Sequence, residues 1–149
     1  MSLFDDIDDA GFESSSRPFG PHEGYAGVLL CASACDGHIG DEEAQSLNLN
    51  LRQKKLYGRV TDQQMGSMMD RLMGELRRGG PEKLLEKCYT AVPPELAETV
   101  FANSVDIVLA DGVVEDDEKE FIDDLQKKLE LDPKRAKTIV QVMVYKNQG

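Results

Sequence analysis

Ala34-Cys35-Asp36-Gly37-His38-Ile39-Gly40-Asp41-Glu42-Glu43 returns 75 residues later as Leu109-Ala110-Asp111-Gly112-Val113-Val114-Glu115-Asp116-Asp117-Glu118. In each copy an apolar run with helical spacing meets Asp-Gly, and a cluster of carboxylates then opens the next helical run. Recurrence at a constant offset is the signature of a duplicated supersecondary unit. The expectation is a scaffold of two related halves, each with one acidic turn.

Working outward, the apolar spacing is helical throughout the body, and no run alternates in the manner of a half-buried strand. A first helix is expected from about His22 to Cys35, with Tyr25, Val28, Leu29, Ala32 and Cys35 on one stripe and Gly37 providing the left-handed stop. Asp41 is expected to cap a second helix running toward Lys55 through Ala44, Leu47 and Leu51. Thr61-Asp62-Gln63-Gln64 fits a capping box for a third, whose Met65, Met68, Met69, Leu72, Met73 and Leu76 form one amphipathic face before Arg77-Arg78-Gly79-Gly80. Such methionines also suit partner-binding surfaces, but their spacing places them in the core.

Pro81 opens a fourth helix through Leu84, Leu85 and Cys88, and Pro93-Pro94 precedes a fifth from about Glu95 to Ala110. Asp116 is expected to cap a sixth carrying Phe121, Ile122, Leu125 and Leu129. A seventh follows Asp132-Pro133, with Ala136, Ile139, Val140, Met143 and Val144. The expected fold is an all-α compact bundle of about seven helices built from two related helical repeats.

At 149 residues, 40% of them hydrophobic, the chain suits one domain with a true core. Residues 1–20 read as a flexible acidic tail and 21–149 as the helical domain. Phe4, Phe12 and Phe19 punctuate the tail, either as docking residues or packed back on their own domain. With 17 basic and 28 acidic residues the net charge is −11, which repels phosphate backbones and anionic lipid alike. Nucleic acid is not an expected partner. No run approaches the roughly 20 apolar residues of a membrane span, and the N-terminus lacks a basic-then-apolar leader. A cytoplasmic protein with reduced thiols is expected, since Cys31 and Cys35 lie four apart on an apolar helix.

The acidic turns have two readings. Hard cations prefer oxygen ligands, and binding one relieves the mutual repulsion of gathered carboxylates. Asp36 and Asp111 end one helix while Glu43 and Glu118 lie in the first turn of the next, so all four converge if the halves pack about a pseudo-twofold axis. An EF-hand calcium loop is rejected even though Gly37 and Gly112 precede Glu43 and Glu118 at its spacing. Its first ligand positions would fall on Ala32 and Ala34, or Ile107 and Leu109, which offer no side-chain oxygen. On the alternative reading the acids only cap helices and complement the macrodipole. That account leaves Asp36 and Asp111, near helix C-termini, explained only as Asp-Gly turns.

On these two segments the chain resembles the TerB family of bacterial tellurite-resistance proteins, over about Gly24 to Lys146. The resemblance implies an all-helical fold of two related halves and an acidic surface that binds a divalent metal: calcium, manganese, magnesium or zinc. Its implied ligands are Asp36, Glu43, Asp111 and Glu118, with Asp41, Glu42, Glu115 and Asp117 as auxiliaries. Gly40 stands where the second half has Glu115, so the site need not be symmetric. The resemblance also implies protein partners among stress or tellurite-resistance components. TerB-like domains occur attached to J-domain co-chaperones, but this chain has no His-Pro-Asp tripeptide.

His38 offers a nitrogen ligand that would favour zinc or manganese, yet its counterpart is Val113, and an exposed loop histidine is the plainer reading. His22 has no partner pattern. Cys31 and Cys35 suit close helix packing better than redox chemistry, because no nearby Lys or Arg would lower a thiol pKa. With no phosphate loop, nucleophile constellation or zinc spacing, the chain is not expected to be an enzyme.

Overall fold

Nine consecutive residues, Gly24 to Ala32, are buried in the first helix, α1 (Pro21–Ser33). The computed structural model describes residues 17–35, 39–110 and 112–149. Among these the chain forms six α-helices and two short 3-10 turns, and no strand. The expected apolar stripe on α1 is thus a helix buried all round. Its run Gly-Tyr-Ala-Gly-Val-Leu-Leu-Cys-Ala contains no charge, and other helices pack on several sides of it.

α2 (Asp41–Arg52) leans on α1 through Leu47 and Leu51. A 3-10 turn, Lys55–Tyr57, then buries Tyr57, whose hydroxyl donates to the His22 carbonyl at 2.7 Å. His22 Nε2 lies 3.0 Å from the Leu56 carbonyl, which ties this turn to the start of α1.

The third and fourth expected helices are the two arms of one element, α3 (Asp62–Tyr89), which bends at Gly80. Gly80 has φ +81° and ψ 171°, a backbone that favours glycine, and Pro81 then starts the second arm. The expected capping box is present: Gln64 N–H donates to Thr61 Oγ1 at 3.1 Å, and Thr61 N–H donates to Gln64 Oε1 at 3.0 Å. The methionine face is buried against the core, as its spacing predicts.

α1 and α3 approach closely because α1 carries glycine at the contact. A Cβ on Gly27 would lie 2.1 Å from Cys88 Sγ, and one on Gly24 would lie 2.9 Å from the Cys88 carbonyl oxygen. Either position would be overpacked by any side chain.

A second 3-10 turn, Pro94–Leu96, leads into α4 (Ala97–Leu109), which buries Val100, Phe101, Val105 and Val108 and packs on α1. Asn103 on α4 donates to Tyr25 Oη at 3.0 Å and accepts from Lys54 Nζ at 2.9 Å, joining α4, α1 and the start of the first 3-10 turn. α5 (Asp116–Lys128) buries Leu125 and half-buries Phe121 and Ile122, with Leu129 half-buried at its C-cap. α6 (Pro133–Lys146) lies on α4, held by Arg135 to Glu98 at 2.7 Å and Lys146 to Asp106 at 3.1 Å. Asp132 caps it, accepting from Arg135 N–H at 3.1 Å.

The 75-residue offset has a counterpart in the element bounds, since Asp41 and Asp116 each open a helix and α1 and α4 each precede one. The tail aromatics Phe4 and Phe12 lie outside the described residues. Phe19 packs back on the body, with the Arg71 guanidinium 4.5 Å from its ring centre. No described helix is long and apolar enough to cross a membrane.

Candidate metal and partner-binding cleft

The last turns of α1 and α4 end beside the first turns of α2 and α5, and a cleft of about 520 Å³ opens among these four elements. Ala32 lines it from α1 and Ile107 from α4, Glu42, Glu43 and Leu47 from α2, and Glu118 from α5. Carboxylates from both halves of the chain therefore border one space. Glu42 and Glu43 are exposed and Glu118 is half-buried, so all three are accessible to solvent and to a ligand.

Glu118 has a second engagement. Its Oε1 accepts from the Glu115 backbone N–H at 2.9 Å, closing the first turn of α5. Its other carboxylate oxygen retains lone pairs for a ligand.

The expected roles of Asp41 and Asp116 as N-caps are corrected. Gly40 and Glu115 occupy the cap positions, with ψ of 165° and 161°, and each aspartate is the first residue of its helix. There the carboxylate complements the positive end of the helix without closing a cap hydrogen bond. Asp41 lines a different hollow, with Asp70 and Arg77. Asp116 and Asp117 face the groove between α5 and the second arm of α3. Glu115 borders neither space.

Asp36, His38 and Asp111 lie outside the described residues, so the four-carboxylate arrangement is described only through Glu43 and Glu118. Among the described residues no three His, Cys, Asp or Glu side chains form a group able to hold a metal ion. The carboxylates at the cleft are hard oxygen donors, which suit calcium or magnesium better than a thiolate-loving ion.

Ser46 and Asn50 also line the cleft and were not singled out from the sequence. They lie three and seven residues after Glu43, on the helix face that carries it, so helical spacing from Glu43 was the available signal.

Cys31 and Cys88 behave as packing residues, whereas the half-buried Cys35 lines the cleft. Burial pushes the Cys31 thiol well above the ordinary range, helped by Cys88 and Cys35, and pushes Cys88 up to about 12. Cys31 Sγ donates to the Pro81 carbonyl at 3.4 Å, and Cys35 Sγ donates to the Ala32 carbonyl at 3.3 Å. Buried neutral thiols are poor nucleophiles.

Comparison with protein-family models, with curated proteins and with solved structures gives no match.

Proposed function

We propose that this chain is a non-enzymatic TerB-like module that binds a divalent metal at its duplicated acidic turns and acts through protein contacts in a tellurite or stress response. The observation that carries the reading is the shared cleft of Glu42, Glu43 and Glu118, contributed by two segments 75 residues apart. On this reading Asp36 and Asp111 of the two Asp-Gly turns complete the oxygen set with Glu43 and Glu118. The carboxylates repel one another without a cation, and binding one relieves that repulsion. The seven-helix, two-repeat organisation belongs to the same proposal, with the bend at Gly80 separating its third and fourth members.

Calorimetric titration with calcium, magnesium, manganese and zinc tests it. Wild type is expected to bind at least one ion, and an Asp36→Asn/Asp111→Asn variant to lose that heat. No binding, or equal binding by both proteins, overturns the metal assignment.

A second reading is favoured by the hydrogen bond from Glu115 N–H to Glu118. In it the acids cap helices and solubilise one face, and the chain is a structural adaptor or chaperone-associated interaction domain with no metal. Affinity capture with and without residues 1–20 then separates a partner held by the tail from one held by the helical body.

A further inference from the structure

The outward face of α6 and the groove beside α5 are complementary surfaces that the described residues leave uncovered within one copy of the chain. Between Pro133 and Lys146, α6 has four basic residues and no acid. Arg135 and Lys146 turn to acids of α4, whereas Lys134 and Lys137 are exposed and have no carboxylate partner among the described residues. They share the outward face with Val142 and Tyr145, which are 51% and 71% exposed. An exposed tyrosine and valine beside unpaired lysines form an amphipathic surface suited to an acidic partner with an apolar floor.

Such a counterpart lies between the second arm of α3 and α5. This open groove of about 820 Å³ has the half-buried Phe121 among its lining residues, next to the core residue Leu85. Seven carboxylates and three lysines (Lys119, Lys127 and Lys128) also line it, so it is acidic on balance, and of these acids Glu82, Asp116, Asp117, Glu120 and Asp123 have no ion-pair partner among the described residues. Glu86, by contrast, is engaged by Lys128. The acidic edge along α5 from Asp116 to Asp124 is about 12 Å long, and the span from Lys134 to Tyr145 is about 16 Å at helical rise. The two surfaces agree in scale, and the net negative balance of the groove opposes the charge of the α6 face.

We infer that the chain self-associates head to tail, with the α6 face of one copy seated in the α3–α5 groove of the next. The lysines meet the groove carboxylates, and Tyr145 and Val142 cover the half-buried Phe121. Because the two surfaces differ, the contact is heterologous and continues into short chains or rings. The net charge of −11 opposes association over long distances. At physiological ionic strength that repulsion is screened beyond about 8 Å, while contacts across the interface are closer than this.

Sedimentation velocity on the full chain, from about 10 μM to about 1 mM, tests the inference. Lys134→Glu/Lys137→Glu/Tyr145→Ala removes the α6 face, and Glu120→Lys/Asp123→Lys removes the groove. Wild type is expected to gain mass with concentration, and each variant alone to remain monomeric. An equimolar mixture of the two variants has one intact surface of each kind and is expected to stop at a one-to-one dimer. A wild type that stays monomeric throughout, a variant that associates like wild type, or a mixture that forms no dimer would each overturn it. If the charge-reversed chains fail to fold by circular dichroism, Lys134→Gln/Lys137→Gln and Glu120→Gln/Asp123→Asn make the same comparison, with each expected to weaken association at least tenfold.

Discussion

Glu43 and Glu118, separated by 75 residues, border the same cleft from the first turns of two different helices. Their meeting follows from the packing of α1 on α4, which brings the ends of both helices and the segments after them to one side of the molecule. The cleft is thus a consequence of how α1 and α4 pack.

Glu118 separates the metal and capping accounts because it serves both. Glu118→Gln keeps an amide oxygen able to accept from Glu115 N–H and removes the charge. Its stability by chemical denaturation is expected within about 0.5 kcal/mol of wild type, while metal affinity falls at least tenfold. Glu118→Ala is expected to lose the affinity and a further 0.5 to 1 kcal/mol, roughly the worth of a cap. A glutamine variant that binds metal like wild type would assign this carboxylate to capping alone.

Gly27 sets the distance between α1 and α3. Gly27→Ala places a methyl group on Cys88 Sγ and is expected to cost about 1 to 3 kcal/mol of unfolding free energy. Cys88→Ala in the same chain removes that sulfur and is expected to return part of the loss. Equal stability of wild type and Gly27→Ala would mean that the helices do not approach as described.

The core also responds to alkali. Burial raises Cys88 from 9.0 to about 12 and Tyr25 from 10.0 to about 12, and it raises Cys31 and Tyr57 as well. These groups are neutral in the folded chain over a range where the unfolded chain ionises. Their stabilisation is therefore complete below about pH 9 and is lost as pH rises toward 12. Denaturation midpoints should be level near neutrality and fall steeply across that window. Cys31 and Cys88 should also resist alkylation in the native state and react on unfolding. A flat midpoint to pH 11 would contradict this burial.

The helical class was legible because periodicity is local: the methionine face of α3, the Thr61 capping box and the Asp132-Pro133 start all follow from residues close in sequence. Burial of α1 on every side was not, since a short apolar run reads the same whether one helix or several cover it. The caps at Gly40 and Glu115 were misplaced by one residue because Asp41 and Asp116 are good caps by type, and only the backbone angles show which residue is extended. In the cleft, Glu42, Glu43 and Glu118 were visible as a repeat, whereas the dispersal of Asp41, Asp116 and Asp117 to other surfaces depends on helix rotation. Asp36 and Asp111 lie outside the described residues.

The central claim is that carboxylates from both halves hold one divalent ion, and a calorimetric titration comparing wild type with Glu43→Gln/Glu118→Gln tests it most directly. Saturable binding of about one ion per chain by wild type, lost in a folded double variant, is the expected result. Equal heats from the two proteins, or no heat from wild type with any of calcium, magnesium, manganese and zinc, would contradict it.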